Sequence, residues 1–567
     1  MFAINSSSSF GFLQYKCNAT ELEINSKLQF PKKKQQLLMP TKDHNLGDLC
    51  YKHEENLAKV RSIFYEAKNK NRLDLMLAID YVQKLDVDYH FVEEIEESME
   101  SLYSNRFAIT DGQLVNNFFQ DSLLFRLLRQ ARYPVSSNIF ERFLDDKGEF
   151  MTCLTQESDG MISLLEASYL NTGENILHKA NTFATDYFNS SMAHFEPHFA
   201  QFIQQTLDHP YHMSLRSFKA RQFLHRHCQF KHHHKEMIGI KYDLMDEFAR
   251  SDFSLIQSLH HMELKEVTCW WKNLGLAEEL KFARDQPLKW YTWSMTALSN
   301  PKYSSYRVAL TKVIAFIYLF DDIFDVYGSL DELHLFTEAI SKWDLSSIDS
   351  LPSYMRICYV ALYNTINEIA EMVFKEHGWN PIDSLKKSWM ELCNAFLVEA
   401  KWFAENQVPL ADEYMRNGTI SCGVPMVLTH IFFLLGQGLT HQNVKVIESC
   451  PNLITCPAKI LRLWDDLGSA EDEEQDGTDG SIMECLMKEK LHCSGESSAR
   501  EEVTRMIAAA WEELNKESFS WNSSCSPDFV KACVNTARMV RVMYSYSDEH
   551  QLPVLDQYIN MLLFEKI

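Results

Sequence analysis

The chain predicts an all-α protein of two helical domains, and three observations carry that expectation. Apolar residues recur at intervals of three and four over most of its length, the period of helices buried along one face. No strand alternation is sustained over several runs in the first half. The helical period lapses between about His227 and Lys241, where polarity rises, and resumes beyond it. At 567 residues there is chain enough for two or more domains with a full core each. A content of 46% hydrophobic and 23% charged residues is that of a soluble globular protein.

Residues 1–50 have neither period and are expected to form a disordered N-terminal segment. They carry Ser6-Ser7-Ser8-Ser9, no acidic residue before Glu21, and basic residues at Lys16, Lys27 and Lys32-Lys33-Lys34. That pattern is compatible with a transit peptide and a plastid location, although such peptides favour arginine and this segment has none. The alternative is a disordered tail on a cytoplasmic protein. Residues 51–235 are expected to form the first helical domain. Leu57, Val60, Ile63 and Phe64 repeat at helical spacing, as do Leu75, Ala78, Ile79 and Val82. Helical segments continue through Leu123–Gln130 and Leu164–Ala167. Residues 236–567 form the second domain, opening on Leu244, Phe248, Ile256 and Leu259. Gly418, Gly423 and Pro425 interrupt one of its helices, since Gly and Pro inside a helix leave carbonyls without an intrahelical partner.

A net charge of −23 argues against nucleic acid or an anionic membrane surface as partner. Any anion site must then be built locally from metal and arginine. No run approaches the roughly 18 apolar residues that span a bilayer, so no membrane span is expected. The 14 cysteines are scattered without a CxxC pair and read as free thiols of a reducing compartment. His232-His233-His234, between Lys231 and Lys235, reads as a surface group rather than a metal site.

Two stretches carry chemistry. An apolar run, Val313-Ile314-Ala315-Phe316-Ile317-Tyr318-Leu319-Phe320, leads straight into Asp321-Asp322-Ile323-Phe324-Asp325. Four residues apart on a helix, Asp321 and Asp325 share one face, with Asp322 close to it. Like charges clustered at the end of a buried segment cost several kcal/mol unless a cation joins them. Such oxygens suit Mg²⁺, a hard ion that shares its ligands with a substrate phosphate. In the second stretch Asp465, Ser469 and Glu473 fall at i, i+4 and i+8, an oxygen stripe along one helix face and a plausible shell for another Mg²⁺. Arg462, three residues before Asp465, lies on the same face and could form a bidentate contact to a phosphate group.

A DDxxD site followed by a (N/D)DxxSxxxE site is the paired metal signature of class I terpene synthases. From about Tyr51 to the C-terminus the chain resembles the plant enzymes, and within them the linalool and nerolidol synthases that make acyclic alcohols. The resemblance implies an α-barrel-like N-terminal scaffold domain and a C-terminal catalytic α-bundle. The cyclase chemistry once housed in the former needs a DxDD acid, and Asp86-Val87-Asp88-Tyr89 stops short of it. It implies three Mg²⁺ ions, with Mn²⁺ a possible substitute: two held by Asp321 and Asp325, the third by Asp465, Ser469 and Glu473. Arg284 and Arg462 would contact the diphosphate of a prenyl substrate, and Trp293 would line the pocket floor, where an aromatic face steadies a cation. Tyr544 and Asp548 fall in the family's C-terminal lid region. The break at Gly418–Pro425 would aim carbonyl dipoles into the pocket. A monomer is expected.

Two departures bear on the product. The family's Arg-x-Arg reads Arg284-Asp285-Gln286 here, and the segment after Glu473, Glu474-Gln475-Asp476-Gly477-Thr478-Asp479, lacks the basic residues of cyclising relatives. Nor is there an Arg-Arg pair anywhere. The resemblance therefore implies ionisation of geranyl or farnesyl diphosphate with water capture at C3, giving linalool or nerolidol. The alternatives are an acyclic hydrocarbon such as myrcene or ocimene, a cyclic terpene, or a chain-elongating prenyltransferase.

Overall fold

A computed structural model describes residues 44–105, 114–227, 242–472, 481–489, 496–520, 525–544 and 554–566. The expectations for the transit segment before residue 44, His232–His234, Glu473 and Asp548 lie outside them. The fold is all-α. Among the described residues the only extended pairing outside helices is an isolated bridge between Leu144 and Phe150.

The N-terminal half comprises α1 (His44–Lys70), α2 (Arg72–Lys84), α3 (Val92–Ser104), α4 (Leu114–Gln130), α5 (Ser158–Ser168), α6 (Asn175–Ser191), α7 (Pro197–Asp208) and α8 (Arg216–His227). Val60, Ile63, Phe64, Leu75, Ala78, Ile79, Val82 and Phe248 are buried, whereas Leu57, Leu244, Ile256 and Leu259 are half-buried, so the helical period marks the inward faces but not their full depth. Asn71 caps α2, its side chain accepting from the Asp74 N–H at 2.8 Å. Charges stay inside only in company: Arg126 pairs with Asp80 and, at 3.3 Å, with Glu166, and Lys84 reaches both carboxylates. Asp88 of the would-be acid motif is tied to Arg216 at 3.0 Å.

The second half begins with α9 (Tyr242–Leu274) and α10 (Leu276–Glu279). Then come α11 (Pro287–Ala297), α12 (Ser304–Asp322), α13 (Leu330–Lys342), α14 (Ser353–His377), α15 (Ile382–Ala404), α16 (Ala411–Ser421) and α17 (Val424–Leu435). The bundle is completed by α18 (His441–Glu448), α19 (Asn452–Asp472), α20 (Ile482–Glu489), α21 (Glu496–Ser518), α22 (Pro527–Met543) and α23 (Val554–Ile559). Helix α9 serves both halves. Tyr242, Met245, Phe248 and Phe253 join the core of α1 and α2, whereas Trp271 at its far end is buried in the core of the later bundle.

Helix α12, which carries the first acidic motif, is anchored at its start by a buried ion pair. Arg307, fully buried, donates to both oxygens of Glu263 on α9 at 2.7 and 2.6 Å and to the carbonyls of Leu298 and Asn300. Tyr291 on α11 donates to the same carboxylate at 2.7 Å. Among the described residues one stretch, Ala411–Leu435, is long and apolar enough to cross a membrane by length and composition. Its most apolar 18-residue window is 83% buried inside the protein, and the stretch is broken at Gly423, as befits a core helix pair.

Candidate active site

The last turns of α12 are clamped by Phe316, Leu319 and Phe320 in the core, so its carboxylates emerge at a fixed point. There the α-helix stops. Residues Ile323–Tyr327 form a single π turn, closed by the Gly328 N–H donating to the Ile323 carbonyl at 2.8 Å. Asp321 and Asp325 therefore do not lie on one unbroken α-helical face, which corrects the simple i, i+4 expectation. The wider turn needs a glycine at its exit: a Cβ at Gly328 would lie 2.9 Å from the Ile323 carbonyl oxygen and 2.6 Å from Leu333. Such π turns recur at functional sites.

Nor does Asp322 join its neighbours. It is buried and turned towards Arg284, accepting from that residue's backbone N–H at 2.7 Å and pairing with its Nε at 2.6 Å. Arg284 also pairs with Asp321 and lies 4.9 Å over the Tyr318 ring. Burial opposes the guanidinium charge, yet Asp321 and Asp322 hold its pKa above the ordinary value.

The second motif rides on α19. Burial pushes the Asp465 carboxyl up to about 7, with Arg462 opposing and Asp466 and Asp321 adding to the rise. Burial likewise pushes Asp325 up to about 8, with Asp321 and Glu399 adding and Arg462 opposing. Asp321 thus acts on both carboxylates, so the two motifs face each other. Ser469 lies on α19 four residues after Asp465.

Arg462 is held in place rather than left to roam. Its Nη2 donates to Ser421 Oγ at 2.8 Å and lies 3.5 Å from Glu399; Nη1 is 4.0 Å from Asp466. Ser421 in turn donates to Glu399 at 2.6 Å, and Asp466 accepts from Tyr414 at 3.1 Å and from the Ile482 N–H at 2.9 Å. Gly418 makes room for the arginine, since a Cβ there would stand 3.0 Å from its Nε. The α16–α17 break falls where the Gly/Pro pattern places it: Gly423 adopts φ of 75° and Pro425 sits in the first turn of α17.

Aromatic walls stand beside this acidic mouth. Trp293 on α11 is nearly buried and donates through Nε1 to the Tyr318 hydroxyl at 3.2 Å. The pKa of Tyr544, which ends α22, is raised well above the ordinary value by burial, with Asp465 and Tyr318 adding and Arg462 opposing. The structure thus brings together Arg284, Trp293, Asp321, Asp325, Arg462 and Asp465. Sequence reasoning missed Tyr318, Tyr414, Glu399 and Ser421. Tyr318 had a signal, lying three residues before Asp321 on the same helix, and Ser421 falls within the Gly418–Pro425 break; Tyr414 and Glu399 had none. Buried oxygen donors this costly to ionise, with the nearest arginines already engaged, fit hard divalent cations that would return them to the charged form.

The chain belongs to the terpene synthase family: residues 272–513 match "Terpene synthase family, metal binding domain" and residues 29–207 match "Terpene synthase, N-terminal domain". The family matches make the chain a carbon–oxygen lyase acting on phosphates. It is 46% identical to the (E)-nerolidol synthase TPS18VF of Cannabis sativa, over 91% of this chain and 92% of that one. Identity is 40% with the S-(+)-linalool synthase, chloroplastic, of Arabidopsis thaliana, over 92% and 89%. With the tricyclene synthase Oc15, chloroplastic, of Antirrhinum majus it is 37%, over 91% and 87%. Among solved structures, isoprene synthase from grey poplar leaves (Populus x canescens), in complex with three Mg²⁺ ions and dimethylallyl-S-thiolodiphosphate, superposes with a TM-score of 0.84. That match has 32% identity and covers 92% of this chain and 98% of that one.

Proposed function

We propose that this terpene synthase ionises geranyl and/or farnesyl diphosphate and lets water trap the cation at C3, giving linalool and/or (E)-nerolidol. The observation that carries the substrate class is the pair of carboxylate motifs facing each other beside an aromatic wall, close enough for Asp321 to raise the pKa of Asp325 and Asp465. Asp321 and Asp325 would hold two Mg²⁺ ions, and Asp465, Ser469 and Glu473 a third; Mn²⁺ would substitute. The metal supplies positive charge to the departing diphosphate. Arg284 and Arg462 add fixed charge at the same place, and their partners Asp322, Ser421 and Glu399 hold both guanidinium groups in position. Trp293 offers a ring face to the allylic cation, a stabilisation of about 0.5–2 kcal/mol.

An acyclic alcohol is favoured by what is missing for cyclisation. Turning geranyl diphosphate about C2–C3 requires diphosphate to be recaptured at C3. The second arginine that would help hold it is Gln286, a neutral side chain whose Oε1 is buried without a hydrogen-bond partner among the described residues. The similarity to nerolidol and linalool synthases supports the same reading. The catalytic unit would span residues 236–567 and the scaffold 51–235, with 1–50 a plastid-targeting segment on a monomer.

The test is product analysis of the purified enzyme with magnesium and each diphosphate separately. Linalool and nerolidol are expected. The similarity to a tricyclene synthase gives the rival outcome its weight: a predominantly cyclic product from either diphosphate overturns the reading. Longer diphosphates formed with isopentenyl diphosphate would instead make it an elongating enzyme.

A further inference from the structure

Far from the acidic mouth, His53 on α1, His90 in the one-turn 3₁₀ helix Asp88–His90 and Asp252 on α9 converge, with one ligand atom from each lying within 4.8 Å of the others. His53 and Asp252 are buried and His90 is half-buried. The Asp252 Oδ1 lies 2.9 Å from His90 Nε2 and 3.7 Å from His53 Nε2. Its other oxygen accepts from the Tyr89 hydroxyl at 2.6 Å.

The shorter of the two Ser251 contacts selects the tautomer of His53. Ser251 Oγ donates its single proton to the Phe248 carbonyl at 2.7 Å, so towards His53 Nδ1, 3.0 Å away, it can only accept. The proton of the neutral ring is therefore on Nδ1. Its Nε2 lone pair then faces a carboxylate oxygen, acceptor against acceptor, in a buried place. A cation between the two nitrogens and Oδ1 removes that conflict. Zinc–ligand bonds of about 2.0–2.1 Å set tetrahedral ligand atoms about 3.3 Å apart, and the observed 2.9 and 3.7 Å straddle that spacing. Ser251 behind His53 and Tyr89 behind Asp252 are the outer partners that zinc ligands ordinarily have. Tyr89 and Asp252 also line a cavity of about 60 Å³ on the carboxylate side of the cluster, which neither histidine lines.

We propose that His53, His90 and Asp252 form a second metal site, selective for zinc-like borderline ions over the hard ions suited to the acidic mouth. Imidazole nitrogen is the donor that makes the difference. Bound there, the ion joins α1 and the 3₁₀ turn to α9, whose far end is built into the catalytic core. Its effect is on the stability of the fold, not on the products.

The test is calorimetric titration of Zn²⁺ into the full chain in excess magnesium, with thermal unfolding in parallel. One Zn²⁺ should bind and raise the unfolding midpoint. Both effects should vanish in His53→Gln and persist in Asp321→Ala, which separates this site from the catalytic one. Ser251→Ala removes no ligand and should weaken zinc binding about 10–100-fold, keeping the question decidable if His53→Gln does not fold. No zinc uptake by the wild-type chain overturns the proposal. So does uptake unchanged in either His53→Gln or Ser251→Ala, and so does uptake lost in Asp321→Ala.

Discussion

Asp325 is a residue kept against its own stability. Although half-buried by exposure, its carboxyl is pushed up to about 8 by desolvation, with Asp321 and Glu399 adding. Asp325→Asn removes the charge and keeps the shape. In metal-free buffer its thermal midpoint should be higher than wild type, while kcat should fall by at least about 10²-fold if, as proposed, Asp325 holds Mg²⁺. A lower midpoint together with retained turnover would contradict both halves of that argument. Ser421 tests the neighbouring arginine. Ser421→Ala strips Arg462 of its 2.8 Å partner, and kcat/KM should drop by about ten-fold for a lost hydrogen bond to a charge, of order 1.5 kcal/mol, with little change in midpoint. Which residues were legible follows from range. Asp321, Asp325 and Asp465 announce themselves by short acidic spacing after apolar runs. Ser421 and Glu399 are 41 and 63 residues from the arginine they hold, a pairing that only the folded bundle makes.

At the scale of elements, the helical period located the inward faces well, because burial along one stripe is what a helix needs whatever it packs against. It could not foresee the π turn at Ile323–Tyr327, whose cause is tertiary: the chain must leave α12 past Leu333, through a glycine. The α16–α17 break was legible from its Gly and Pro residues, but two of its glycines do different work. Gly423 supplies a left-handed backbone, with Ile317 Cγ2 3.0 Å from where a Cβ would stand. Gly423→Ala should therefore destabilise the fold by about 1–3 kcal/mol, seen as a lower denaturant midpoint. Gly418 is ordinary helix whose missing side chain leaves space for Arg462. Gly418→Ala should crowd the guanidinium and lower kcat/KM by about ten-fold or more, while the denaturant midpoint moves less than in Gly423→Ala. Equal effects on stability and activity in the two variants would show that the break acts as one structural unit.

For the whole molecule, the sequence marks out two helical halves but not how they dock, since docking uses polar groups with no periodic trace. The seam is built around His212 and Asn515. Asn515 donates through Nδ2 to the Tyr169 and Asn171 carbonyls at 3.0 and 2.9 Å, leaving its Oδ1 to accept from His212 Nε2 at 2.7 Å. Arg538 on α22 donates to the His212 carbonyl at 2.7 Å. The other ring nitrogen of His212 is buried without a hydrogen-bond partner among the described residues, so a second proton would have nowhere to go. Burial, with Arg538 adding, lowers the His212 pKa from 6.5 to about 3. Between those two values the unfolded chain binds a proton that the folded one refuses, so stability rises with pH across the window. The contribution is complete above pH 6.5 and is lost progressively as pH falls towards 3, at most about 1.4 kcal/mol per pH unit. His212→Gln keeps an N–H donor for Asn515 and removes the titration. Unfolding midpoints measured from pH 7.5 down to 5 should fall more steeply for the wild-type chain than for the variant, the two curves diverging below about pH 6.5. Parallel curves over that range would mean that the seam does not keep His212 neutral.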